Sequence, residues 1–145
     1  MKWITRERVR IDRAASAWLI KRFVDPDAQF LFVSREQVME VARKEQATPF
    51  HVPEADLGQR ADHMGFEAIV AKYNISDRAV HRLAGIVRAA EKRGTAPEAA
   101  GLYAMIHGFF LMELADEKAL AFEFPLFDAL YCYCQDRVAR GLNSP

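Results

Sequence analysis

The chain is poor in the features that announce a specialised class of protein. Only two cysteines, Cys132 and Cys134, occur in 145 residues, and they stand one residue apart. On a helix, positions i and i+2 point about 200° apart, because each residue turns about 100°. The two thiols are therefore expected neither to bridge one another nor to grip one metal together, and no other Cys or His pair supplies a structural zinc pattern. They read as two half-buried thiols of a reducing compartment. Charge of one sign is missing as well, since twenty basic side chains balance twenty acidic ones. That balance gives no overall pull toward nucleic acid or an anionic membrane, so neither is expected as a partner. Long hydrophobic runs are also absent. The N-terminus, MKWITRERVRID, has no apolar signal-peptide core. The longest apolar stretch, Ala99 to Met112, is interrupted by His107 and falls short of the ~20 residues that span a bilayer. It reads as a central core helix, and the protein as cytoplasmic. G-x-S-x-G, the P-loop and G-x-G-x-x-G are lacking, which leaves nucleophile-elbow hydrolase, P-loop NTPase and Rossmann readings without support.

What is present is an ordinary globular composition, 51% hydrophobic and 28% charged, in a length suited to one domain over residues 1–145. Trp3-Ile4-Thr5 predicts a short strand. Ile11 to Val24 predicts a helix, with Asp12 near its start and Lys21-Arg22 in its last turn, as the helix dipole favours. Asp25-Pro26-Asp27 ends it, and Gln29 to Val33 is the clearest strand. Ser34 and Gln37 form a capping-box pattern opening a helix to about Glu45, and Thr48 to Val52 suggests a third strand. Pro53 to Met64 is a polar loop, followed by a short helix from Phe66 to Tyr73, closed by Asn74. Ser76 caps a helix from Asp77 to Arg93, which Gly94 terminates. Pro97 opens the apolar helix to about Leu114. Asp116 starts the last helical region, which Pro125 is expected to break or kink before a final helix from Leu126 to about Arg140. The sum is a predominantly helical α+β fold, with about six helices and a small two- or three-stranded sheet near the N-terminus.

The helix from Ile11 to Val24 is apolar around most of its circumference, which marks a buried helix. Yet Asp12, Arg13 and Ser16 lie together on its first turns. Buried charges without partners are costly, so these groups either form an internal Asp–Arg network or line a wet cleft. In the second case Arg13 is the forked donor to an anion. Lys2 to Arg13 holds five basic residues against two acidic ones. Arg6, Arg8, Arg10 and Arg13 gather at a strand-to-helix junction, where free backbone N–H groups also favour an oxyanion.

Trp3-Ile4-Thr5-Arg6, Ile11-Asp12-Arg13, Trp18 to Phe23 and Asp25-Pro26-Asp27-Ala28-Gln29-Phe30-Leu31-Phe32 resemble the C-terminal domain of the ChrB-type chromate-resistance proteins. The likeness continues through Ala47 to Phe50, Leu57-Gly58, Phe66 to Ile69, Pro97 to Leu102 and Leu126 to Tyr131, and so covers nearly all of the chain. Longer members of that family carry an additional N-terminal region and are associated with chromate-responsive regulation of an efflux operon. This chain starts at the domain, so a DNA-binding role of its own is not expected. Ser16-Ala17 stands where the family commonly has Cys-Pro, Met64 where another Cys is common, and Gln59 in place of a histidine. Arg6, Asp12, Arg13, Arg22 and Arg60 remain. The resemblance and the basic junction together suggest a sensor or accessory domain for a small inorganic oxyanion, chromate or sulfate-like, with Arg6, Asp12, Arg13, Ser16, Arg22, Arg60 and His107 as candidate ligand-binding residues.

A second group lies in the polar loop and beside it. His51, Glu54, Asp56, Asp62, His63 and Glu67 fall close together, and two imidazoles with carboxylates suit zinc, iron or manganese. His51, Asp56, His63 and Glu67 are the candidate ligands of a divalent metal, against the simpler reading of a solvated loop. His81 reads as a surface partner of Asp77 four residues earlier, and His107 as a hydrogen-bonded core histidine or a member of a cleft above Arg13. Three functions follow from these patterns: an oxyanion sensor, a small metal-dependent enzyme, and a module whose C-terminal helices pair with a second copy as a homodimer.

Overall fold

The first strand carries no alternation. Trp3, Ile4 and Thr5 of β1 (Lys2–Arg6) are all fully buried, so both faces of that strand must be covered, as in a parallel sheet with layers on each side. The computed structural model, which describes residues 1–57, 64–92 and 94–141, shows this arrangement. β1 is the centre of a three-stranded parallel sheet in the order β2-β1-β3. β2 spans Gln29–Val33 and β3 only Thr48–Pro49. β3 is shorter than the stretch to Val52 predicted from sequence, because His51 takes a left-handed backbone, φ 56°, and turns the chain off the sheet. Its Pro49 sits on an edge strand, where a missing N–H is tolerated.

The two faces of β1 belong to different cores. Ile4 packs with Val38, Ala42, Ala47, Val52 and Ala55 beneath α2 (Val38–Glu45). Trp3 on the opposite face joins the main core, built by α1 (Ile11–Leu19), α3 (Gly65–Lys72), α4 (Arg78–Lys92), α5 (Ala99–Leu111) and α6 (Asp116–Ala139). The six helices and small sheet agree with the sequence expectation, and no helix among the described residues is long and apolar enough to cross a membrane.

All nine residues of α1 are buried. The helix continues as a wider π-helical turn, Ile20–Val24, where Arg22 and Phe23 meet α6. Trp18 lies against Phe23, Phe127 and Tyr131 at ring separations of 5.8, 6.2 and 5.7 Å. Its indole N–H donates to Asp128 at 2.7 Å, and the same carboxylate receives both arms of Arg22 at 2.9 and 2.8 Å. Asp128→Ala should therefore cost about 1–2 kcal/mol, the usual penalty for stranding a buried donor. Urea unfolding measures it, and an unchanged midpoint would show that the indole N–H finds another acceptor.

Five local expectations are corrected. Ser34 bonds the Gln37 side chain at 2.9 Å with no side chain capping the backbone, and a 3-10 turn, Arg35–Gln37, precedes α2. Asp77, rather than Ser76, caps α4, its carboxylate accepting from Ala79 and Val80 N–H at 2.8 and 3.1 Å. His81 accordingly turns away from it, to the Ile75 carbonyl at 2.8 Å. Pro125 does not split the last helix, which runs unbroken from Asp116 to Ala139. Pro125 and Ala121 both lie on the exposed face, so the carbonyl that loses its donor faces water, while Leu120 and Phe127 are buried on either side. The fifth correction is α5. Of this supposed central helix only Ala99, Leu102 and Ile106 are buried.

Candidate functional site

Four residues join β1 to α1, and α6 fixes their path. The backbone N–H groups of Arg8 and Val9 both donate to the carboxylate of Asp116, at 2.9 and 2.8 Å. Arg8 sits in the left-handed region, φ 62°. Its carbonyl thereby meets Arg13, whose guanidinium donates to it at 3.0 Å. Arg10 runs outward and donates to Nδ1 of His107 on α5 at 2.9 Å. A guanidinium only donates, so Nδ1 is the accepting nitrogen in this contact. His107 lies between Tyr103 and Phe110, nearly parallel to both, with ring centres 5.4 and 5.9 Å away. Phe110 in turn carries Arg8 and Arg10 at 4.6 Å each, a cation–π contact on both counts.

Arg13 is the unusual group. It is only 6% exposed, and its Nε is buried with no hydrogen-bond partner. Burial, and then the positive charge of Arg6, bring its pKa down to about 10, against the opposing pull of Glu91, Asp12 and Asp116. Glu91, near the solvent-facing end of α4, has its pKa raised, first by the atoms packed around its carboxyl and then by Asp12, while His51, Arg13 and Arg10 act to lower it. The β1–α1 junction is thus a place where cationic groups converge on a buried donor that lacks an acceptor.

Asp12 is engaged elsewhere. One carboxylate oxygen accepts from Gly65 N–H and His51 Nε2, both at 2.7 Å. The other accepts from Phe66 N–H at 2.9 Å and Ser16 Oγ at 3.5 Å. The carboxylate therefore satisfies two of the free N–H groups at the start of α3. Gly65 is required there, since a Cβ would collide with the His51 ring and press on Asp12. The charge of Asp12 is satisfied by distant backbone and by His51 rather than by an Asp12–Arg13 bond.

The other sequence candidates separate in space. Arg6 ends β1 half-buried, close enough to depress Arg13. Ser16 is fully buried beside Asp12. Arg22 belongs to the Asp128 pair on α6, away from Arg13's partners. His107 joins the site through Arg10. Of the proposed metal ligands, His51 holds Asp12, Glu67 makes a two-armed pair with Arg88 at 2.8 and 3.0 Å, and Asp56 is exposed. Arg60 and His63 lie outside the described residues. Among the described residues no three His, Cys, Asp or Glu side chains gather as a metal site. Asp116 and Glu91 were absent from the sequence candidates. Asp116 carried only its helix-start signal, and Glu91 carried none. Arg10 stood in the basic cluster but nothing in the sequence paired it with His107.

The chain belongs to the family described as ChrB, C-terminal domain, whose family model matches residues 3–134. It is similar to Protein ChrB of Cupriavidus metallidurans, with 33% identity over 109 residues, covering 74% of this chain and 32% of that protein. The chain thus spans about a third of the length of that relative. No solved structure is a significant match.

Proposed function

We propose that this domain binds a small inorganic dianion of the chromate or sulfate type, as a sensor or accessory element of chromate resistance, the role associated with its family. The observation that carries the reading is Arg13: a buried guanidinium whose Nε has no acceptor and whose pKa is held down by burial and by Arg6. A bound dianion would supply the missing acceptor and neutralise the repulsion in one step. Arg6 and Arg10 flank the same junction, and the α6 carboxylate that holds the 8–9 turn keeps the donor in place. Arginine suits the ligand because its planar fork gives two parallel bonds to two oxygens of a tetrahedral ion.

The test is a calorimetric titration of chromate, with sulfate and phosphate beside it, on the wild-type chain and on Arg13→Gln. One charge-assisted bond is worth about 1.5–3 kcal/mol, so the variant should bind roughly 10- to 100-fold more weakly, with an unchanged far-ultraviolet circular dichroism spectrum. A folded Arg13→Gln protein that binds chromate as the wild type does would refute the role assigned to this arginine.

A further inference from the structure

Helix α5 carries no Asp, Glu, Lys or Arg from Ala99 to Met112, yet it is not a core helix. Its inner side presents Ala99, Leu102 and Ile106 to the core. Its outer side exposes Gly101, Ala104, Met105, Leu111 and Met112, a spacing that keeps them on one face. Phe122 of α6 extends the same surface by stacking on Phe109 with a ring separation of 5.8 Å. Met105, Leu111, Met112 and Phe122 are each at least half exposed. Contiguous apolar surface of this kind marks a contact site in a soluble protein, whereas scattered single residues do not.

The glycines point the same way. A Cβ on Gly101 or Gly108 would meet nothing within 4 Å, so the chain's own packing does not demand glycine at either place. Glycine inside a helix is destabilising relative to alanine. Two such positions on one helix are explained if a second backbone approaches there.

We infer that the uncharged outer face of α5, with the adjoining Phe122 of α6, is a two-fold interface on which a second copy of this chain docks. In a two-fold pair the residues near the axis meet their own counterparts. Any charge on that stripe would face a like charge, and over these four turns there is none. A partner chosen by charge complementarity would find nothing on this face to read. Small side chains gather toward its start and large ones toward its end, so in an antiparallel pair Leu111 and Met112 of one copy can seat over Gly101 and Ala104 of the other. The area fits a reversible dimer. Thirteen residues of helix extend about 20 Å, and with the start of α6 alongside at 8–10 Å the pair buries on the order of 1,000 Å² in total, the small end of specific interfaces.

Sedimentation equilibrium on the intact chain decides it, from about 5 to about 500 µM, a range set by the expected weakness of so small an interface. The average mass should rise from 16.5 kDa toward twice that value, with a dissociation constant on the order of tens of µM. Met105→Glu and Met112→Glu, made separately at positions already half exposed, should each weaken the dimer at least about tenfold by placing like charges across the axis, with melting temperatures close to the wild type. Gly101→Ala provides a milder variant that adds no charge and should weaken it less. A monomer at every concentration would overturn the proposal and assign the face to another partner. So would a dimer that tolerates both glutamates.

Discussion

Asp12→Ala should be the most damaging conservative-sized change in the chain, lowering the free energy of unfolding by about 3–5 kcal/mol. The carboxylate is 1% exposed and accepts four hydrogen bonds, two of them from the first N–H groups of α3. Removing it leaves those donors buried and unpaired, and nothing within the apolar surroundings of α1 replaces it. The loss exceeds that of an ordinary cap, about 1 kcal/mol, because His51 is stranded at the same time. Chemical denaturation reads the effect, and amide exchange should show the protection at Gly65 and Phe66 falling first. Asp12→Asn should be intermediate, since its NH2 group must face either the Gly65–His51 pair or the Phe66 donor. A loss below about 1 kcal/mol in Asp12→Ala would mean that water fills the place of the carboxylate.

The second large effect is a gain. Glu123 on α6 is 1% exposed, and one of its carboxyl oxygens has no partner. It borders a cavity of about 60 Å³ shared with Asp116, Val9 and Phe110. Burial first, and then the charge of Asp116, push its pKa from the usual 4.5 up to about 8. In the unfolded chain the group ionises near 4.5, whereas in the folded protein it keeps its proton until about pH 8. Between those limits the folded state holds more protons, so stability falls as pH rises. The full penalty is bounded by the shift of about 3.5 pH units, roughly 4–5 kcal/mol, an upper limit for a site that can take up water. Glu123→Gln carries no such penalty. Its unfolding free energy should exceed that of the wild type by several kcal/mol at pH 8.5, and the two should converge near pH 4.5. Parallel stability curves across that range would show that the carboxyl ionises normally in the fold.

The sequence was informative where a pattern is local. Gln29 to Val33 was legible as a strand, and Ile11 to Val24 as a buried helix, because runs of apolar residues report burial directly. The sequence also required that Asp12 and Arg13 be satisfied. The partners of Asp12 stayed hidden, since Gly65 and Phe66 lie 53 and 54 residues further along and no spacing rule connects them. Ser76 and Asp77 both suit a cap by residue type, and only the backbone path selects Asp77. The apolar run at 99–112 misled in an instructive way. Composition measures how much surface a helix must bury, but it does not state whether the covering surface belongs to the same chain. The break that proline imposes on an isolated helix does not form at Pro125, because buried residues on both sides hold the two halves in line. Glu91 had no signal at all, being one carboxylate among many until α4 brings it beside Arg10 and Arg13.

The clamps between α6 and the first helix also set an order of assembly. Asp116 holds residues 8 and 9, and Asp128 holds Trp18 and Arg22, across 106 to 110 residues of chain. At about 5–20 residues per second, the ribosome adds Asp128 roughly 5–20 s after Arg22. Throughout that interval α1, a helix buried at all nine positions, lacks part of the surface that finally covers it, and long-range closures of this length are slow to form. The newborn chain thus keeps the Trp18 face of α1 uncovered until the last helix arrives.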